Sequence, residues 1–536
     1  MDLNQIALWM AALPAATLFW KNARAPHRPL GWLMVTALVV LTAIGGWFYF
    51  RSYAGYVAGA LALLFVFLPT WANNAAARAG NRFQYGRARR FFTVAALFHP
   101  LDGWPAMPRL FEAFELAHQG KTADAEALLR VLARGTGNTA SIARAQRLRI
   151  LGRWRELKAL AEQTGLLTLG RDPTLLVLYL RALGELGELD DLAEFMRAQE
   201  PALLGTGALD AGLLYLFGFS GRVELTRLAL GGSRQVYSAE ARDFWLALAA
   251  KNAGDLEEAR RAFGGLRTCP DAQIRERAEE HFRSLLRTGP PEPLSARTLA
   301  TIDHFARLAR QRHNLMPNSP GQRTERRMVL LLIAANAAVY VNGSYPKLVD
   351  THEHFVERWA FFAPDILSGE WWRVFSYLFV HANAIHLLMN MGGLWVLGPF
   401  VERAFGRLRF GLIYLISGSV GSAVYLALSW YGVIEPEPLV GASGCIMGLL
   451  GATAAVMLRA WIRQRAAIAR QIFFRLLAVV LLQVVFDFST NYINRGDPGQ
   501  PQIAGLAHAL GLLGGFIAAL LLRESVSPEQ SVASLA

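Results

Sequence analysis

Cysteine is almost missing from this chain: Cys269 and Cys445 are the only two among 536 residues, and they lie far apart. That excludes a disulfide framework and a cysteine-rich metal centre. No Walker A motif or dinucleotide-type glycine fingerprint occurs, which argues against nucleotide use. Thr351-His352-Glu353-His354 lacks the H-E-x-x-H spacing, and no further ligand cluster is near, so it reads as a solvated loop. No metal and no cofactor is expected. The N-terminus has neither a basic leader nor a clear small-x-small cleavage site, so its first apolar segment reads as an anchor rather than a signal peptide. The net charge is +13, but the arginines flank apolar segments and do not form one basic domain. Nucleic-acid binding is therefore not expected. What the chain has in abundance is apolar residue, 53% of the total, which points to a lipid bilayer as its solvent.

Three apolar segments open the chain, Leu3–Trp20, Gly31–Phe50 and Tyr53–Ala72. Lys21, Arg24 and Arg28 follow the first, and Arg78, Arg82, Arg87, Arg89 and Arg90 follow the third. The positive-inside rule puts both flanks in the cytoplasm and the N-terminus outside. Six more segments fill the second half: Met328–Val341, Val374–Gly398, Phe410–Trp430, Ala442–Trp461, Ile472–Phe488 and Ile503–Leu522. Their basic clusters fall on alternate loops, again on the cytoplasmic side. Nine spans are expected.

Between the two groups, charged residues return and apolar residues recur at helical spacing. Glycine followed by a polar residue appears at Gly120, Gly152, Gly187, Gly221 and Gly254, at spacings of 32, 35, 34 and 33. A period near 34 is that of tetratricopeptide-type helix–turn–helix units, which stack because one unit cannot bury its apolar stripe alone. Asn252–Phe263 resembles such a turn most closely. Gly289-Pro-Pro-Glu-Pro293 and Pro317-Asn-Ser-Pro-Gly321 then break helix, with a short basic helix expected between them. The expected fold class is all-α: a polytopic helical bundle with a cytoplasmic α-solenoid. Its segments are three N-terminal spans (1–92), the solenoid (100–290), a linker (291–326), a six-helix core (327–524) and a tail (525–536).

Polar residues inside apolar spans are costly and usually functional. Three clusters occur in the core: His381…His386…Asn390, Gly441-Ala-Ser443-Gly444, and Ala507-His508 with Gly511 and Gly515. His386 and Asn390, four apart, share a helix face. Counted at helical rise from Arg459, Arg523 and Glu402, the residues Ser443, His508 and His386 lie about 24, 22 and 24 Å above the cytoplasmic edge, one common level. A serine hydroxyl needs an adjacent base, and His508 is the one histidine of the last four spans. Asn390, His386 and the Ser443 N–H can donate to an oxyanion. Gly444 with Gly448 and Gly511 with Gly515 form small-xxx-small faces that let the serine and histidine helices approach closely. No acidic third member is evident. Asp487 reads as structural or loop-facing, leaving a Ser–His dyad oriented by packing.

With Trp372-Arg373 before the second core helix and Glu402…Gly406 before the third, this pattern resembles the rhomboid family of intramembrane serine proteases over roughly 327–523. The resemblance implies Ser443 as nucleophile, His508 as general base, and His386, Asn390 and the Ser443 N–H as the oxyanion site. It further implies supporting roles for His381, Trp372, Arg373, Gly441, Gly444, Gly511 and Gly515, and transmembrane protein substrates. Many members carry an aromatic residue four positions after the serine; here that residue is Met447. The family does not account for the three extra spans or the solenoid, which reads as a docking surface for a cytoplasmic protein partner. A bacterial cytoplasmic membrane is the expected location. A catalytically silent rhomboid-like client-binding protein is the competing function, and retention of both Ser443 and His508 argues against it. A transporter or scaffold is less well supported, for no inverted repeat or broken central helix is apparent.

Overall fold

The computed structural model describes residues 3–24, 29–99, 101–135, 137–165, 172–204, 207–232, 237–287, 293–315, 326–344, 352–493, 505–522 and 524. They form an all-helical polytopic membrane protein whose strand-like pairing, among the described residues, is a single antiparallel bridge between Phe361 and Leu439. The chain divides into two compact units, 1–310 and 311–536.

In the first unit, helices α1 (Leu3–Ala23), α2 (Leu30–Tyr49) and α3 (Ala54–Asn81) pack through small residues, Ala11, Ala15, Ala43, Ala54, Ala58 and Ala62 among them. At the turn between α2 and α3 the Asn4 side-chain carbonyl oxygen accepts from the Gly55 N–H at 2.7 Å while its amide donates to the Arg51 carbonyl at 2.7 Å. The two contacts together close the Arg51–Tyr53 turn. Helix α3 runs nine residues beyond the expected Ala72 and carries a π-turn at Leu63–Phe67. A fourth helix, α4 (Tyr85–Phe98), leads into a turn where Asp102 accepts from the first N–H groups of α2, Gly31 at 3.2 Å and Trp32 at 3.1 Å. An acid at a helix N-terminus satisfies donors that have no intrahelical partner.

Five helix–turn–helix pairs follow. They are α5/α6 (Met107–His118, Thr122–Ala133), α7/α8 (Asn138–Ile150, Trp154–Thr164), α9/α10 (Pro173–Leu186, Leu189–Ala198), α11/α12 (Gly207–Phe219, Val223–Gly232) and α13/α14 (Ala239–Asn252, Leu256–Leu266). Each turn holds one of the five periodic glycines, all with positive φ between 67° and 85°. Helix α15 (Ala272–Ser284) brings the row back to its start, with Asp271 3.0 Å from His118 of α5. The expected linker contains the helix foreseen between its two proline breaks. It carries the 20-residue helix α16 (Ala296–Leu315), whose Ile302, Phe305, Ala306, Leu308 and Ala309 join the main core of this region. The proline breaks flank a helix whose apolar face still had to be buried, and it packs on the nearest core.

The second unit contains α17 (Arg327–Gly343), α18 (Ala384–Phe405), α19 (Arg407–Trp430), α20 (Ser443–Gln464), α21 (Ala467–Ile493) and α22 (Gly505–Leu521). Among the described residues, six helices of the whole chain are long and apolar enough to cross a membrane: α2, α3, α18, α19, α20 and the Ala467–Val485 part of α21. Helices α17 and α22 are apolar but have 17 residues each, and α1 is not among the six. The first residues expected in the last span, Ile503 and Ala504, lie outside the described ones. Helix α20 is the centre of this unit, with 72% of its apolar window buried, whereas α21 has 11%. Glu402 of α18 caps α17 by accepting from Met328 N–H at 3.0 Å and Val329 N–H at 3.1 Å.

Candidate active site

The residues before α20 are held by backbone pairing rather than by side chains. Phe361 and Leu439 exchange N–H···O bonds of 3.0 and 2.9 Å, and Gly441 N–H donates to the Tyr377 carbonyl at 2.9 Å. Gly441 has φ +106°, which only glycine adopts without strain, and an added Cβ would stand 2.7 Å from the His386 ring and 3.2 Å from Asn390 Nδ2. The missing side chain is thus what lets the His386/Asn390 face of α18 lie against the start of α20. Ser443 is the first residue of α20, so its N–H has no intrahelical acceptor.

Helices α20 and α22 run parallel with their backbones in contact. A Cβ on Gly511 would sit 2.3 Å from the Gly444 carbonyl oxygen, and one on Gly515 would sit 2.1 Å from that of Gly448. At the far end Arg459 ties the two helices together, donating to the Ala519 and Leu520 carbonyls at 2.8 and 3.1 Å and to Glu524 at 2.6 Å. At the near end Ser443 Oγ lies 2.9 Å from His508 Nε2.

His508 Nδ1 lies 2.9 Å from Asp487 Oδ2, and Asp487 is 5% exposed. Its other oxygen accepts from Gln483 Nε2 at 2.7 Å. This corrects the expectation that Asp487 is structural or loop-facing and that packing alone orients the histidine. A carboxylate can only accept, so Nδ1 carries the proton and Nε2 presents its lone pair to the serine hydroxyl. That is the tautomer a general base needs. Asp487 sits on α21, whose exposed flank hid its polar face in a continuous apolar run. The signal available was the cost of any acid inside a span, together with Gln483 one turn before it.

Asn390 is 7% exposed, and its Nδ2 is a buried donor with no acceptor. A buried donor left unpaired is costly unless something arrives to accept from it, and it faces the loop that leads to Ser443. Asn383 caps α18 by accepting from the His386 N–H at 2.9 Å. His381 is buried behind His386, with ring centroids 5.1 Å apart, and does not reach the Ser–His pair. Its carbonyl accepts from His352 Nε2 at 3.0 Å, so His352 ties the loop down. Trp372 and Arg373 also lie away from the pair. Arg373 is 6% exposed and contacts Asp365 and Glu370 at 3.0 and 2.5 Å and the Ala360 carbonyl at 3.0 Å. It thereby holds the 352–376 segment together, while Trp372 stacks edge-on with Trp371. Among the described residues no group of three or more His, Cys, Asp or Glu side chains is arranged to hold a metal.

A serine–histidine–carboxylate relay beside an orphan amide can do nucleophilic acyl transfer. The comparisons with known proteins agree in kind. Residues 368–525 match the Rhomboid domain. The chain is similar to Rhomboid protease GluP of Bacillus subtilis (strain 168), 35% identical over 157 residues, which are 29% of this chain and 27% of GluP. It is similar to YdcA of the same organism, 31% identical over 160 residues, 29% of this chain and 69% of YdcA. It is also similar to Rhomboid protease AarA of Providencia stuartii, 36% identical over 104 residues, 17% of this chain and 37% of AarA. The likeness thus spans well under half the length of GluP and AarA.

Proposed function

The chain belongs to the rhomboid family, and from that premise we propose that it is an intramembrane serine endopeptidase acting on transmembrane segments of other membrane proteins. The observation that carries this is the 2.9 Å approach of Ser443 Oγ to His508 Nε2. His508 takes the hydroxyl proton as Ser443 attacks the scissile carbonyl. Asn390 Nδ2, His386 and the Ser443 N–H donate to the oxygen that becomes negative. The imidazolium then protonates the leaving amine, and water, deprotonated by the same ring, releases the acyl group. Asp487 keeps the ring in the required tautomer and stabilises its charged form. Gly441, Gly444, Gly511 and Gly515 act by allowing close approach, and His381, Trp372 and Arg373 by holding the surrounding segments.

We further propose that residues 100–290 form a tetratricopeptide-like solenoid in the cytoplasm, with the N-terminus outside, in a bacterial cytoplasmic membrane. On this reading the solenoid docks a protein substrate or regulator, and 327–524 is the protease core. The periodic turn glycines and the alternate basic loops support it.

The test is covalent labelling of the purified full-length chain with a serine-directed fluorophosphonate, alongside cleavage of a transmembrane substrate in proteoliposomes. Labelling and cleavage should both disappear in Ser443→Ala. Labelling equal to that of Ser443→Ala would point instead to a catalytically silent client-binding protein.

A further inference from the structure

Within the first unit the helical pairs curve around a cavity of about 410 Å³, the size of a small-ligand site. Its walls include Phe114 and Trp154 on one side and Trp245 on another, with Arg149, Arg181 and Arg277 between them. The guanidinium of Arg181 lies 5.5 Å from the Trp154 ring and 5.4 Å from that of Trp245, and Arg277 lies 4.8 Å from Trp154. Of the acids in the cavity walls, Glu276 is exposed to solvent and the others are already engaged. Glu185 is 3.3 Å from Arg181 and 3.1 Å from Arg277, and Glu280 is 3.0 Å from Arg277. Asp271 contacts His118 at 3.0 Å and accepts from the N–H groups of Gln273 and Ile274 at 2.8 and 3.1 Å.

Arg149 is left over. It donates to the neutral Gln146 and faces the Phe114 ring at 5.9 Å, with no carboxylate within ion-pair distance. Burial, then the Arg181 charge, act against its protonated form, and Tyr85, Tyr215 and Asp271, which favour it, do not offset them. Arginine does not escape by losing its proton under ordinary conditions, so a half-buried guanidinium facing a second cation is destabilising until an anion joins it.

We propose that this cavity is a binding site for a small organic anion, a carboxylate or phosphate on an apolar body, with Arg149 pairing the charge and the aromatic walls covering the body. The site goes beyond the protease reading and does not depend on it. The anion is either a free small molecule or the C-terminal carboxylate of a polypeptide.

The experiment uses the detergent-purified full-length chain, with tryptophan fluorescence and Tm as readouts. Phenyl phosphate represents the free anion, and phenol is its uncharged control. A short peptide ending in phenylalanine, as the free acid and as the amide, represents the chain terminus. Saturable quenching and a raised Tm are expected with phenyl phosphate and not with phenol, or with the free-acid peptide and not with its amide, and whichever arm responds identifies the source. Loss of a charge-assisted pair in Arg149→Met should weaken that response roughly tenfold or more. In buffer poor in binding anions, Arg149→Met should melt above the parent protein, since it removes an uncompensated cation. A response to neither charged probe would overturn the proposal, and so would a response equal for charged and uncharged forms, which needs no variant to observe. A response undiminished in Arg149→Met, or a Tm below the parent's in the anion-poor buffer, would also overturn it.

Discussion

The periodic glycines of the helical pairs and the glycines of α20 and α22 serve opposite purposes. In the helical pairs the five periodic glycines sit outside the helices, at turns with positive φ, where an L side chain would be strained even though at Gly152 and Gly187 nothing lies within 4 Å of an added Cβ. In the second unit the glycines of α20 and α22 sit inside regular helix, where backbone conformation permits any residue but a neighbouring backbone forbids a Cβ. The first kind sets where the chain reverses, and the second sets how closely two helices lie. Substitution should therefore be graded in the pairs and abrupt in the bundle.

The largest effect is expected at the α20–α22 crossing. Gly515→Leu must drive α22 away from the Gly448 carbonyl, and the Ser443–His508 pair separates with it. Misplacement by about 1 Å costs on the order of 10²-fold in rate, and this displacement is larger, so cleavage and fluorophosphonate labelling should fall to the Ser443→Ala background. Gly392→Ala on α18, where a Cβ meets nothing within 4 Å, is the matched control and should keep full activity. If Gly515→Leu stays active, close approach is not what the bundle glycines provide. Next in size is Asp487→Asn. An amide can present its N–H to His508 and stabilise the wrong tautomer, so cleavage should drop by roughly 10² to 10⁴-fold with folding intact. Unchanged cleavage would return the site to a histidine oriented by packing.

The two kinds of glycine also explain what could be read without coordinates. Turn glycines recur at a period, and a period is visible in one dimension, so Gly120 to Gly254 mark the helical pairs directly. Small-xxx-small spacing at Gly444/Gly448 and Gly511/Gly515 likewise marks a helix face. Ser443, His508 and Asn390 stand out because polar groups are rare in apolar runs. Asp487 was legible only as an oddity, because which face of α21 meets α22 is a rotational choice that its almost uniformly apolar sequence does not encode. The packing of α16 escaped for a related reason. Proline breaks bound a helix, but the core that accepts its apolar face is a tertiary matter.

The comparison extends to histidine. His508 sits between a hydroxyl and a carboxylate, whereas His281 of α15 has Lys251, Arg277 and Arg181 around it. It lies 3.3 Å from Lys251 Nζ and stacks on Phe263 at 5.3 Å. Burial, then Lys251, Arg277 and Arg181, push its pKa down from the ordinary 6.5 to about 3. Below pH 6.5 the unfolded chain takes up a proton that the folded chain refuses. The stability contributed is thus complete above that pH and is lost as pH falls toward 3, at a slope of up to about 1.4 kcal/mol per pH unit. Hydrogen-exchange protection within 237–287, corrected for the intrinsic slowing of exchange in acid, should fall on acidification, and His281→Gln should remove most of that dependence. An unchanged slope in His281→Gln would assign it to other groups.

The smallest effects test whether turn glycines are all alike. Gly187→Ala meets open space and suffers only the left-handed backbone, so about 1 kcal/mol of local stability should be lost. Gly221→Ala carries the same φ penalty, but its Cβ would also stand 2.6 Å from the backbone of Asn252 and Ala253 in the next turn. Asn252 there donates from Nδ2 to the Gly218 carbonyl at 3.2 Å, which ties the two turns together. The added methyl must break that register, so the loss at Gly221 should exceed the loss at Gly187 and should spread into α13 and α14. Hydrogen exchange resolved by helix separates the outcomes. Equal and local losses would mean that the turns contribute conformation alone, and that successive pairs are joined through their helices rather than through their glycines.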